Sequence, residues 1–188
     1  MEFKKTVEYT VDDIMNLPEG ERAELIDGVW YDMATPLREH QEIVMAVSGR
    51  LDQYVREKGG KCRVYPAPFA VFLNKDNRNY IEPDVTVVCD PEKLDKYGCN
   101  GAPDLVVEVV SPSTKDRDYA IKLFKYRDAG VKEYWIINPE SRTINTYAFS
   151  DEAEERVESA NQLSFDKELT SSLYPGFSMV LSELLQGE

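Results

Sequence analysis

The heptapeptide Asp104-Leu-Val-Val-Glu-Val-Val110 constrains this chain more than any other stretch of it. Five of its seven residues are apolar and four of those are valine. β-Branched side chains favour a pleated backbone, and a near-continuous apolar run marks a strand covered on both faces. Pro103 before it and Ser111-Pro112 after it bound the run. Such a strand fits an α/β domain with helices packed on a sheet. Strand alternation places Asp104, Val106, Glu108 and Val110 on one face and Leu105, Val107 and Val109 on the other. Glu108 is then an ionisable group in the middle of an apolar strand. An ionised carboxylate is costly there unless it is paired or bound to a metal. Taken alone, it is explained as well by a structural Arg or Lys partner as by a ligand role.

The rest of the chain supplies elements around that strand. Residues 11–17 read as a short helix ended by Pro18-Glu19-Gly20, and two strand-like runs flank Asp27-Gly28, a hairpin signal. Residues 38–58 repeat apolar side chains at Ile43, Val44, Val47, Leu51, Tyr54 and Val55 with a helical period, and Gly59-Gly60 stops them. Residues 62–73 and 81–89 are strand candidates, with Pro66 and Pro68 confining part of the first to an edge or bulge. Residues 90–101 form a polar connection with room for a helical turn. After the central strand, Ser111 to Thr114 caps a helix from about 115 to 129, closed by Gly130. A strand at 132–138 ends at Pro139. Residues 141–149 and a strand pair in 155–165 read as an added meander, followed by a short strand and a short helix. The central order is helix, strand, strand, strand, helix, strand. The expectation is one α/β domain over residues 1–188, with its core at about 38–138 and a mixed central sheet.

Composition narrows the function classes. No window approaches the roughly 18 apolar residues of a membrane helix, and the lysines of MEFKKTVEYT lack an apolar segment behind them. No signal peptide is therefore expected, and the cytoplasm is the default location. Cys62, Cys89 and Cys99 are odd in number and show no CxxC spacing, so free thiols are expected in preference to a zinc site or a disulfide. The single histidine, His40, excludes a site built on several histidines. A net charge of −13 argues against a broad phosphate-binding surface. Part of that charge is local, because residues 151–158 hold five carboxylates in an expected loop tip. A basic stretch holds Lys115, Arg117, Lys122, Lys125 and Arg127.

Asp84 follows Pro83 at the start of its strand and by itself would be read as closing a turn. Together with Glu108 it says more. Two carboxylates at corresponding points of neighbouring strands can hold a hard cation such as Mg²⁺. A lysine nearby could orient an attacking water and stabilise developing negative charge.

The motifs Glu82-Pro83-Asp84, Pro103-Asp104-Leu-Val-Val-Glu108-Val-Val-Ser111-Pro-Ser-Thr114, Lys122-Leu-Phe-Lys-Tyr126 and Gly130-Val-Lys-Glu-Tyr-Trp-Ile137 stand in fixed order. With Ala23-Glu24-Leu-Ile-Asp-Gly28, His40 and Val64-Tyr-Pro-Ala-Pro68 upstream, they cover roughly residues 20–150. This string resembles the Uma-type putative restriction endonuclease family of the PD-(D/E)XK nuclease superfamily. The resemblance implies a restriction-endonuclease-like core and Mg²⁺-dependent hydrolysis of DNA phosphodiesters, with Mn²⁺ as a substitute. Asp84 matches the aspartate of the PD motif and Glu108 the acidic residue of (D/E)XK. The usual lysine position is Val110, and the resemblance transfers its role to Lys122, with Lys125 as runner-up. Glu24 matches an additional metal ligand of related nucleases, and equally suits a solvated charge beside the hairpin. His40 matches a family position but reads first as a cap or surface residue. Asp104 is expected to support the strand entrance, and Tyr126, Tyr134 and Trp135 to pack. DNA is the implied partner, and a homodimer is implied by analogy alone. Two alternatives stay open: an inactive nuclease-fold binding module, and a hydrolase of a smaller phosphoester.

Overall fold

Apolar periodicity becomes packing in the computed structural model, which describes residues 8–112, 114–150 and 159–185. The expected loop tip at 151–158 and the N-terminal seven residues lie outside these. A short helix α1 (Val11–Met15) precedes the hairpin β1 (Ala23–Ile26) and β2 (Val29–Asp32). Asp27 and Gly28 both have positive φ, 52° and 78°, the backbone that a two-residue hairpin turn requires. Helix α2 (Arg38–Lys58) spans the expected residues and ends on Gly59 in the left-handed conformation.

The expected strand at 62–73 divides into β3 (Arg63–Pro66) and β4 (Ala70–Phe72), with a cis Ala67–Pro68 peptide bond between them. Proline supplies no ladder N–H at either break. β5 (Val85–Val88) follows, and then β6 (Gly98–Asn100), a strand not foreseen in the polar connection. Its polar sequence hides it, because it pairs in parallel with β4 outside the main sheet. The central strand is β7 (Leu105–Val109), and β8 (Glu133–Asn138) and β9 (Thr143–Ala148) come after the helical crossover. β10 (Ser159–Ser164), β11 (Glu168–Thr170), β12 (Ser178–Val180) and α4 (Leu181–Leu184) complete the chain. Of the strand pair expected in 155–165, residues 155–158 lie outside the described residues, and β10 pairs with β9.

Six strands form the central sheet in the order β10-β9-β8-β7-β5-β3. It is mixed: β7 and β8 are parallel and every other neighbouring pair is antiparallel. β7 is buried on both faces, as its sequence predicts. Leu105, Val107 and Val109 pack with Ile43, Val47 and Leu51 of α2, while Val106 and Val110 pack with Tyr126, Tyr134 and Ile136.

The crossover departs from a plain helix. Residues Arg117–Lys122 form a π-helical turn, and α3 (Leu123–Ala129) continues from it. π-Turns are uncommon and concentrate at functional sites. The cysteines also correct the expectation of three free thiols, since Cys62 and Cys89 form a disulfide and only Cys99 is free. The pairing Arg63↔Val88 brings the two residues opposite each other at the end of the β3–β5 ladder. Nothing in their 27-residue separation announces that register. Among the described residues no helix is long and apolar enough to cross a membrane.

Candidate active site

Register brings the two central carboxylates together. Val85 pairs with Val107 across the antiparallel β5–β7 ladder, so Asp84 and Glu108 are the next opposing positions. Asp84 Oδ2 accepts the Val109 backbone N–H at 2.7 Å, which ties the loop before β5 to β7. Glu108 lies on the face of β7 that carries Val106 and Val110, at 4% exposure.

Lys122 reaches this carboxylate from the π-turn. Its Nζ donates to Glu108 Oε1 at 2.8 Å and to Glu24 Oε1 at 2.8 Å, and lies 3.6 Å from Asp118 Oδ1. Lys125 pairs instead with Asp27 at the hairpin turn, away from Glu108. The Lys125 side chain is 24% exposed against 3% for Lys122.

Glu24 arrives from the N-terminal hairpin. Leu25 and Tyr80 exchange backbone hydrogen bonds of 2.7 and 2.8 Å, pinning β1 to the segment before Asp84. Leu25 then points into a small apolar cluster with Ile14, Ala23 and Tyr80, while Glu24, 1% exposed, reaches Lys122. Glu24 Oε2 lies 3.5 Å from Arg117 Nη2, and the Arg117 guanidinium sits over the Tyr31 ring at 4.8 Å.

Four further side chains reach the site that the sequence did not assign to it. His40, in the first turn of α2, places Nε2 3.2 Å from Asp84 Oδ2. Tyr126 packs as expected, but its hydroxyl also donates to Glu108 Oε1 at 2.6 Å. Asp118 and Arg117 turn inward from the π-turn. The i, i+4 spacing of Asp118 and Lys122 was the only available signal, and it also fits a solvated pair on a helix surface. Glu82, in the motif before Asp84, is held by Arg22 and by Tyr80 Oη at 2.7 Å and has a structural part. Asp104 accepts from the Cys89 backbone N–H at 2.7 Å and from Lys132 at 2.8 Å, supporting the strand entrance. Tyr134 and Trp135 are fully buried packing residues.

The electrostatics are those of an acid-rich interior. Burial pushes the Glu108 carboxyl well above the usual carboxylate range, and Lys122 offsets this only in part. Burial raises Asp118 too. For Lys122 burial opposes the ammonium, but Glu108, Glu24 and Asp118 outweigh it and its pKa rises. His40 shows the same contest. Burial lowers it, while the hydrogen bond and charge of Asp84 win and shift it upward. Glu24 Oε2, Asp118 Oδ1 and Arg117 Nε are buried without a hydrogen-bond partner among the described residues. All of these groups line one cavity of about 850 Å³.

A family model named Uma2, described as "Putative restriction endonuclease", matches residues 11–182. The chain belongs to the Uma2 family. An uncharacterized protein of Synechocystis sp. is 29% identical over 136 residues, which is 71% of this chain and 70% of that protein. A crystal structure from Anabaena variabilis ATCC 29413, titled a putative nuclease belonging to DUF820, superposes with a TM-score of 0.73. That likeness covers 94% of this Uma2 chain and 97% of the other at 17% identity, and shows a shared, restriction-endonuclease-like fold. The Uma2 model extends well beyond the β5–β7 region, taking in the hairpin that carries Glu24 and the strands as far as β12.

Proposed function

We propose that this Uma2 protein is a metal-dependent endonuclease that hydrolyses DNA phosphodiesters at the cluster of Asp84, Glu108 and Lys122. One observation carries the reading: Asp84, next to the Val85–Val107 pair, is hydrogen-bonded to Val109 beside Glu108, and the Lys122 ammonium is 2.8 Å from Glu108. Among the described residues no three His, Cys, Asp or Glu side chains converge to hold a metal by themselves. Mg²⁺ does not need them, since it commonly takes one or two carboxylates and completes its shell with waters and phosphate oxygens. The donor set suits such an ion. One ammonium stands among Glu24, Glu108 and Asp118, and two of those acids have an oxygen with no hydrogen bond. Asp84 and Glu108 would hold the ion, with Glu24, whose Oε2 has no hydrogen bond, as a further ligand.

When bound, Mg²⁺ lowers the pKa of a coordinated water and neutralises phosphoryl charge. The protein groups do the positioning. A lysine ammonium has three N–H donors, and two of those of Lys122 serve Glu24 and Glu108. The third, with Asp118 Oδ1 as far as 3.6 Å away, is left for the attacking water or a phosphoryl oxygen. The Tyr126 hydroxyl fixes the rotamer of Glu108, and the Val109 N–H and His40 fix that of Asp84. Plasmid nicking with Mg²⁺ or Mn²⁺ tests the proposal. Wild type should nick, while Asp84→Ala and Lys122→Ala should each fall by at least about a hundredfold, the scale of losing one transition-state donor. Equal activity in the three proteins would refute this mechanism.

A second reading, an inert nuclease-fold binding module, draws on the Lys122 ammonium already being shared by two acids. Calorimetry separates the two, because an inert module has no reason to bind Mn²⁺ in a manner abolished by Asp84→Ala.

A further inference from the structure

The active-site cavity has two kinds of wall. Its floor is ionic and deep: Glu24, Asp118 and Lys122 are each at most 2% exposed. Above that floor, Met33, Pro36, Leu37, Pro68, Pro112 and Pro139 line it with apolar surface. Leu37 stands at the mouth, 73% exposed at the N-cap of α2. At about 850 Å³ the cavity falls within the range of small-ligand pockets, roughly 300–1,000 Å³.

Such a shape does not match an intact duplex. A duplex is a stiff rod that hides its bases and displays its phosphates, and proteins grip it with an open array of Lys and Arg. Here the net charge is −13, and of the cavity's cations Arg22, Arg117 and Lys122 each already face a buried acid. An unstacked nucleotide has an apolar, flat base and a charged phosphate, the same division as the cavity. Arg117 supplies a phosphate contact. It is held by Tyr31 stacking and by Glu24 at one Nη, lines the cavity, and has its Nε buried without a hydrogen-bond partner among the described residues. A planar guanidinium in that state is suited to a phosphate oxygen.

We infer that this cavity admits one unstacked nucleotide at a time, so that the preferred substrate is single-stranded or frayed nucleic acid, with Arg117 anchoring its phosphate. The inference rests on the proposed active site and specifies its substrate class. Enzymes that work inside a closed pocket reach nucleic acid in this way, through single strands or extruded nucleotides.

The test uses the full-length protein in Ca²⁺ and two fluorescein-labelled probes, a 12-nucleotide single strand and the same strand annealed to its complement. Anisotropy should show the single strand bound at least about tenfold more tightly than the duplex. Leu37→Asp keeps a good helix N-cap residue while placing a charge on the apolar wall, and should weaken single-strand binding several-fold. Arg117→Met should weaken it about tenfold and flatten its dependence on salt by roughly one phosphate contact. Circular dichroism and urea midpoints verify that both variants fold, and Arg117→Lys should restore part of the salt dependence if Arg117→Met proves unstable. Equal or tighter binding of the duplex, or wild-type affinity in both Leu37→Asp and Arg117→Met, overturns the inference. Cleavage assays separate it from the nuclease proposal. Nicking of covalently closed duplex without cleavage of the single strand defeats the inference and leaves the nuclease reading standing. Tight single-strand binding without cleavage in Mg²⁺ or Mn²⁺ supports the inference and defeats the nuclease reading.

Discussion

Lys122 shows how much one side chain can hold together. The residue is 2% exposed and its ammonium bridges Glu24 on the hairpin and Glu108 on the central strand, so it joins parts of the chain 98 and 14 residues away. Removing it would leave buried carboxylates without their countercharge. Lys122→Met is therefore expected to lower unfolding free energy by about 3–5 kcal/mol, the usual consequence of breaking a buried pair from one side. Urea denaturation followed by tryptophan fluorescence measures this. A loss under about 1 kcal/mol would mean that water reaches these acids, and that the lysine is a surface-type pair. At this scale the sequence was informative about Asp84 and Glu108, because each stands where strand geometry makes a carboxylate costly or exposed to a partner. It said little about His40 or the Tyr126 hydroxyl. A lone histidine at a helix start and a tyrosine in an apolar face have common structural explanations, and only contact distances distinguish them.

Among the elements, the π-turn at Arg117–Lys122 matters most for the site. The strand position two residues beyond Glu108 is Val110, which shares the Glu108 face and lines the cavity. The lysine enters instead from the crossover, after a turn wide enough to bring Arg117, Asp118 and Lys122 to the same cavity. If the site requires an ammonium and not a particular helix, the double variant Lys122→Ala/Val110→Lys should recover part of the nicking lost in Lys122→Ala, on the order of tenfold, a fraction of the full donor effect. Plasmid nicking and a folded circular dichroism spectrum check this. Recovery absent in a folded double variant would tie catalysis to the Lys122 position itself. The helix was legible in the sequence as one piece from 115 to 129. The π-register was not, because propensity and periodicity barely distinguish it from an α-helix over six residues.

Across the whole molecule, buried groups that must lose protons at high pH set an alkaline limit. Burial pushes the Cys99 thiol up to about 11 from an ordinary value of 9.0. A group with a raised folded pKa contributes stability that is complete below its unfolded pKa and is lost as pH rises through the folded one. The stability advantage of wild type over Cys99→Ala should thus be full at pH 7 and shrink between about pH 9 and 11, by on the order of 1 kcal/mol after allowing for solvent screening. Urea midpoints across that range measure it, and a constant difference would contradict burial as the cause. At this scale the division between sequence and fold is clear. Apolar periodicity by itself determined that β7 is covered on both faces and that α2 runs from Arg38 to Lys58. Those are local consequences of the apolar pattern. Only the tertiary structure decided the Cys62–Cys89 disulfide, the pairing of β4 with β6, and the delivery of Glu24 to Lys122. Each depends on the register between segments far apart in the chain. Register is set by the packing of all faces at once, so no short stretch of residues encodes it alone.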